Sequence, residues 1–119
     1  MEETGRLGEQ VAAEYLRNAG FKIIATNWRA GRYEVDIVFR DSRTIAFVEV
    51  KTRYPGPQDP AEAVDRRKRG NLGRAAATWI STRHEWAEDY RFDVISVQLR
   101  RGHPPVVHHV PGAFTADDG

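Results

Sequence analysis

Asp36, Glu49 and Lys51 are the residues of this chain whose types and spacing suit one particular chemistry. Tyr33 to Arg40 and Thr44 to Thr52 both read as strands, and the Asp41-Ser42-Arg43 between them is too short for anything except a hairpin connection. A loop centred between Ser42 and Arg43 sets Asp36 opposite Glu49 and Glu34 opposite Lys51. Directly opposed residues share a face with Cβ atoms about 4.5–5.5 Å apart, so this register gathers three carboxylates and one ammonium at one end of the hairpin. Two carboxylates this close repel, and desolvation at the edge of a core adds to the cost. A divalent cation removes the conflict. Mg2+ takes oxygen ligands, keeps several waters, and is commonly held by one or two carboxylates plus phosphate oxygens of a substrate. Lys51, on the same side of the strand as Glu49, is placed to orient an attacking water and offset charge in the transition state. Paired carboxylates, Mg2+ (or Mn2+) and a lysine describe a phosphodiesterase. The plain alternative is a cross-strand salt-bridge cluster, common on half-exposed sheets and worth little per pair. Glu34 is either a further ligand or the ion-pair partner of Lys51.

These residues need a scaffold, and the hairpin supplies part of it. Its other face carries Val35, Ile37 and Phe39 opposite Val50, Val48 and Ala46, and so belongs to a core. The charged face itself turns apolar toward the loop, at Val38, Phe47 and Ile45, which predicts a second cover. From Gly5 to Ala19 the apolar residues Leu7, Val11, Ala12, Tyr15, Leu16 and Ala19 recur with helical period, and Gly20 supplies a stop. Phe21 to Thr26 reads as a strand, and Asn27 to Arg32 as a turn.

Arg53 to Pro60 is a loop by its three prolines and glycine. A second helix begins at Asp59-Pro60 or after Asp65, with Val64, Leu72, Ala75, Ala76, Trp79 and Ile80 as its apolar stripe. Arg91 to Leu99 alternates as a strand, Arg101 to Pro105 turns, Val106 to Val110 is a final short strand, and 113–119 is a tail. The order is helix, three strands, helix, two strands: one α/β domain over 1–119. Trp28, Trp79 and Trp86 are expected in a core or interface. His108 and His109, adjacent on a strand, point to opposite faces and do not share an ion.

Composition sets limits on function. A chain of 119 residues has room for one core. Zero cysteines exclude a disulfide framework, a thiolate metal site and a cysteine nucleophile. No apolar run reaches the ~18 residues that span a bilayer, and Met1-Glu2-Glu3 lacks the basic start of a signal peptide, so a cytoplasmic protein without a membrane partner is expected. The formal net charge of +1 hides an uneven distribution: 11 basic against 7 acidic residues from Arg29 to Arg74, and 7 against 10 elsewhere. That argues against indiscriminate coating of nucleic acid and for a local contact. Arg66, Arg67, Lys68, Arg69 and Arg74 on the second helix, with Arg53, are candidate phosphate contacts, since cations near a helix N-terminus oppose the macrodipole and call for another reason to be there.

Glu49-Val50-Lys51 preceded by Asp36 is the pattern of the PD-(D/E)XK nuclease superfamily, and the flanking residues narrow the match. Gly8-Glu9, Asn27-Trp28-Arg29, Glu34-Val35-Asp36-Ile37-Val38, the long Phe47 to Arg53 string, Glu62-Ala63-Val64 with Lys68, Arg91 to Ile95, and His109-Val110 occur in one colinear order. In these the chain resembles the bacterial YraN family over nearly its whole length.

The resemblance implies a restriction-endonuclease-like fold, a central mixed sheet flanked by helices, similar to archaeal Holliday junction resolvases. It implies Asp36 and Glu49 as metal ligands with the Val50 carbonyl as a third, Lys51 as the catalytic lysine, and Glu9 as an accessory acid from helix one. An acid at Glu9 also suits the helix dipole. The implied activity is a Mg2+-dependent endonuclease acting on structured or branched nucleic acid, DNA rather than RNA, with a homodimer as the assembly expected by analogy with resolvases. The alternative is an inactive nucleic-acid-binding or adaptor protein that keeps the fold. One position departs from the pattern: the family usually has Gly before the acidic pair Glu34-x-Asp36, and this chain has Tyr33.

Overall fold

Five strands form one mixed sheet in the order in which they occur along the chain, and the helix that precedes β1 and the helix between β3 and β4 cover its two faces. A computed structural model describes residues 2–54 and 66–114. The elements are α1 (Glu2–Asn18), β1 (Lys22–Ala30), β2 (Tyr33–Asp41), β3 (Thr44–Arg53), α2 (Arg66–Arg83), β4 (Asp89–Arg100) and β5 (His103–Phe114). Neighbours are antiparallel except β3 and β4, which run parallel because α2 forms the crossover between them. The element order is the one expected, and several boundaries are not.

Asn27 to Arg32 is no turn. β1 runs on to Ala30, and Gly31-Arg32 alone makes the reversal, with Gly31 at φ +62°. The pairs Trp28–Val35 and Arg29–Glu34 supply the ladder that carries the strand past its polar residues. The expected turn at Arg101 to Pro105 likewise shrinks to Arg101-Gly102, and Pro104 and Pro105 lie in β5, an edge strand where a missing N–H is tolerated. Nor does the tail begin at 113. β5 continues to Phe114, which is buried and stacks on Phe92. The proposed helix start at Asp59-Pro60 and Val64 lie outside the described residues; the described helix begins at Arg66.

α1 ends as its sequence dictates. Gly20 at φ +93° lets its N–H reach the Arg17 carbonyl and the Phe21 N–H reach that of Leu16, the paired bonds of a glycine-terminated helix. Ala12, Ala13 and Leu16 bury against Ile37, Phe39, Ala46, Val48, Ile95 and Val97 on one face of the sheet. On the other face Leu72, Ala75, Ala76 and Trp79 of α2 pack on Val38, Ile45 and Phe47, the second cover that the hairpin pattern predicts. Leu7 and Ile80, expected in the apolar stripes, remain exposed. Each large side chain buried in these layers contributes roughly 1.5–3 kcal/mol of transfer free energy, enough to offset the two glycines in the first half of α2. Val35 is a correction to the hairpin pattern: it leaves the face of Ile37 and joins the α2 layer with Tyr33 and Trp28. β2 therefore changes face between Val35 and Ile37, at Asp36.

Candidate metal centre

β2 and β3 are paired in the expected register from Ile37–Val48 to Asp41–Thr44, and the ladder stops there. Asp36 and Glu49 come next on each strand but are not a ladder pair. Instead, the Val50 N–H donates to Asp36 Oδ2 over 2.7 Å, so the carboxylate replaces the carbonyl that a continued ladder would have supplied. On β1, Asn27 falls between the pairs Thr26–Ile37 and Trp28–Val35, with a left-handed φ of +50°. Asparagine tolerates that conformation better than most residues. Three strands thus lose regular pairing around one carboxylate.

The electrostatics of this gap follow from its acids. Burial and then the charge of Glu49 push Asp36 up to about 8, against the pull of the Val50 N–H, with Glu9 and Glu34 adding to the rise. Glu9, on α1, is also raised, first by burial, while the Asn27 side chain bonds to it and lowers it. Glu9 is held close to the sheet by its neighbour: Gly8 is buried so tightly on β3 that a Cβ there would overlap Thr52 Oγ1. Lys51 is half-buried, two residues beyond Glu49 on the same side of β3, and Arg53 is half-buried as its last residue. Glu34 reaches Arg29, 3.4 Å away. Among the described residues, no group of three or more His, Asp and Glu side chains is close enough to hold an ion by itself.

The side chains here that could hold a cation are Asp36 and Glu49, with a backbone group as a further donor. This set fits Mg2+ or Mn2+, which are commonly held by one or two carboxylates and otherwise by water and substrate oxygens. Two further acids, Glu9 and Glu34, lie close enough to act on Asp36 through their charge.

The basic helix is described in part. Arg66, Arg67, Lys68 and Arg69 form the first turn of α2, with side chains outside the described part of the structure, and Arg74 is exposed one to two turns later. Of the tryptophans, Trp79 is buried and Trp28 packs edge-on against it, while Trp86 stands 65% exposed. His108 is exposed and His109 buried, on opposite sides of β5 as expected.

The profile of the uncharacterised protein family UPF0102 matches residues 8–97, a span that includes Glu9, Asp36, Glu49, Lys51 and Arg74. The chain belongs to this family, the YraN family. Its relatives include a UPF0102 protein of Nocardia farcinica, 45% identical over 92% of this chain and 87% of its own length. A UPF0102 protein of Syntrophotalea carbinolica is 46% identical over 95% of this chain and 92% of its own length. One of Trichlorobacter lovleyi is 45% identical over 92% and 88%. The family's placement within the PD-(D/E)XK superfamily agrees with the mixed sheet and with the site at the parting of β2 and β3.

Two features of the structure are not legible in the sequence. Asn27 falls in a run expected to turn; an asparagine within an otherwise strand-like run, which tolerates left-handed backbone, is the available signal. Asp93, fully buried, accepts from Arg91 Nε at 2.8 Å, Arg91 Nη2 at 3.0 Å and the Gly112 N–H at 3.0 Å, and contacts His109 Nε2 at 2.8 Å. Tyr15 of α1 completes this network on His109 Nδ1. The Arg91 to Ile95 run reads as a strand and as part of the family pattern, and nothing local to it predicts this network.

Proposed function

We propose that this protein is a Mg2+- or Mn2+-dependent endonuclease acting on structured or branched nucleic acid, DNA rather than RNA. The observation that carries the reading is Asp36, whose carboxylate ends the β2–β3 ladder on the Val50 N–H beside Glu49, where burial and the charge of Glu49 raise its pKa and a cation would offset both. Asp36 and Glu49 would hold the metal. In a strand, the N–H and C=O of one residue point to the same edge, so the Val50 carbonyl faces the same gap as its N–H and is the third donor. When bound, the ion supplies charge neutralisation and a lowered water pKa.

The chain's own residues do the rest. Lys51 carries a fixed positive charge to the reacting phosphate and orients the attacking water. Glu9 is the accessory acid, positioned by Asn27 and by the close packing of Gly8 on Thr52. The first turn of α2, Arg74 and Arg53 draw the phosphate backbone toward the site. A homodimer that cuts two strands belongs to the same reading.

Purified protein is incubated with branched, single-stranded and duplex DNA and RNA in Mg2+ or Mn2+, beside Asp36→Ala and Lys51→Ala. Metal-dependent cleavage that both substitutions abolish is the expected result. Cleavage that survives both is contamination, and its absence on every substrate removes the enzymatic reading. Binding without cleavage selects the second reading, an inactive nucleic-acid-binding protein; Tyr33 in place of the usual glycine beside the acidic pair favours it.

A further inference from the structure

We propose that Arg32 and Arg74, gathered over the ring of Tyr33, clamp the phosphodiester backbone of the nucleic-acid strand that approaches Asp36. The proposal rests on the nuclease reading and adds to it the residues that hold the substrate strand.

The two cations come from distant parts of the chain. Arg32 follows Gly31 in the β1–β2 turn, and Arg74 projects from α2. Their guanidinium carbons lie 5.4 Å and 5.8 Å from the centroid of the Tyr33 ring, and Arg32 Nη2 donates to the Tyr33 hydroxyl over 3.4 Å. Like charges brought to one ring repel, and cation–π attraction at an exposed site is worth only about 0.5–1 kcal/mol.

Elsewhere in the molecule, converging arginines meet acids: Arg40 and Arg83 reach Glu85, Arg43 reaches Glu88, and Arg91 reaches Asp41 and Asp93. Among the described residues, Arg32 and Arg74 reach no carboxylate; the polar side-chain partners they have are Tyr33 and Asn71. An anion between the two arginines would offset their repulsion. The hydrogen bond from Arg32 lowers the Tyr33 phenol from its ordinary value, consistent with positive potential around the ring.

The position selects the anion. Tyr33 lies three residues before Asp36 on β2, and its inner side packs into the α2 layer with Trp28 and Val35. The ring is thereby fixed to the strand that carries the candidate metal ligand, about 10 Å along it at ~3.3 Å rise per residue. A strand whose phosphate is cut at Asp36 presents its neighbouring phosphates there, and guanidinium forks match phosphate oxygens. Tyr33 is a positioning residue in this arrangement.

The test is fluorescence anisotropy in EDTA, with labelled single-stranded DNA, duplex DNA and RNA of one sequence, over 50–200 mM salt. Arg32→Ala and Arg74→Ala should each weaken binding about three- to tenfold. Each should also take about 0.9 (duplex) or 0.7 (single strand) off the slope of log K against log salt. Arg74→Lys should restore the slope, and Tyr33→Leu, which keeps the apolar packing, should weaken binding while thermal melting is retained. Arg101→Ala, in the exposed β4–β5 turn, is the control. A double Arg32→Ala/Arg74→Ala variant that binds like Arg101→Ala overturns the clamp. If the wild type cleaves in Mg2+ while the double variant shows an unchanged KM, the clamp fails and the nuclease reading stands. If the wild type neither binds nor cleaves, both fail.

Discussion

The Asp36 carboxylate accepts the Val50 N–H over 2.7 Å at the point where β2 and β3 part. This bond places an acid where backbone pairing should continue, against the charge of Glu49. The arrangement is therefore built at a cost to the fold.

That cost is measurable against pH. The folded pKa of Asp36, about 8, lies above its ordinary value of 3.8, so the folded protein holds a proton that the unfolded chain releases. The contribution is full below pH 4 and is lost as pH rises toward 8. At roughly 1.4 kcal/mol per pKa unit, and with water reaching a residue that is only half-buried, the loss is on the order of a few kcal/mol. Asp36→Asn keeps an acceptor for Val50 and removes the charge. It should melt several degrees above the wild type at pH 8.5 in EDTA and converge with it near pH 4; equal melting at both pH values would contradict this account.

Metal should reverse the penalty. A cation that binds only the folded state stabilises by about 2.7 kcal/mol at one hundred times its dissociation constant. Mg2+ or Mn2+ should raise the melting temperature of the wild type at pH 8 and leave that of Asp36→Ala unchanged. An equal rise in both proteins places the ion elsewhere.

Gly8 tests the link between packing and site. In an exposed helix, Gly→Ala stabilises by about 1 kcal/mol. At position 8 the new Cβ overlaps Thr52 Oγ1 and presses on the Thr52 Cβ, 3.0 Å away, so a rotamer change does not relieve it. Gly8→Ala should lower stability by about 1–3 kcal/mol in denaturant unfolding, displace Glu9, and reduce cleavage. Thr52→Ala should restore part of both losses.

Asp93 behaves oppositely to Asp36. Burial alone would raise it, but Arg91, the Gly112 N–H and His109 together hold it below its ordinary value. Its contribution is present above the unfolded pKa of about 3.9 and is lost as pH falls through the lower folded value. Asp93→Ala leaves Arg91 with Asp41 alone and removes the partner of His109 Nε2, and should cost about 3–5 kcal/mol at pH 7, read from the urea midpoint. A loss under 1 kcal/mol would show that the network is not a structural tie between β4, β5 and α1.

Local pattern determined much of this protein. The alternation of Ile37, Phe39, Ala46 and Val48 fixed the hairpin register, the period of α1 and Gly20 fixed its length and stop, and Glu49-Val50-Lys51 after Asp36 marked the candidate site. Those features depend on residues near in sequence or on a two-strand register, which period-two patterning specifies. Only the tertiary structure decided that β1 runs through Asn27 to Ala30, that β5 reaches Phe114, and that Glu34 pairs with Arg29. Each of these depends on what a neighbouring strand offers, and long-range pairing overrides local turn and tail propensity. The same holds for Val35, Arg32 with Arg74, and Asp93 with His109. Contacts between elements far apart along the chain leave no periodic trace in it.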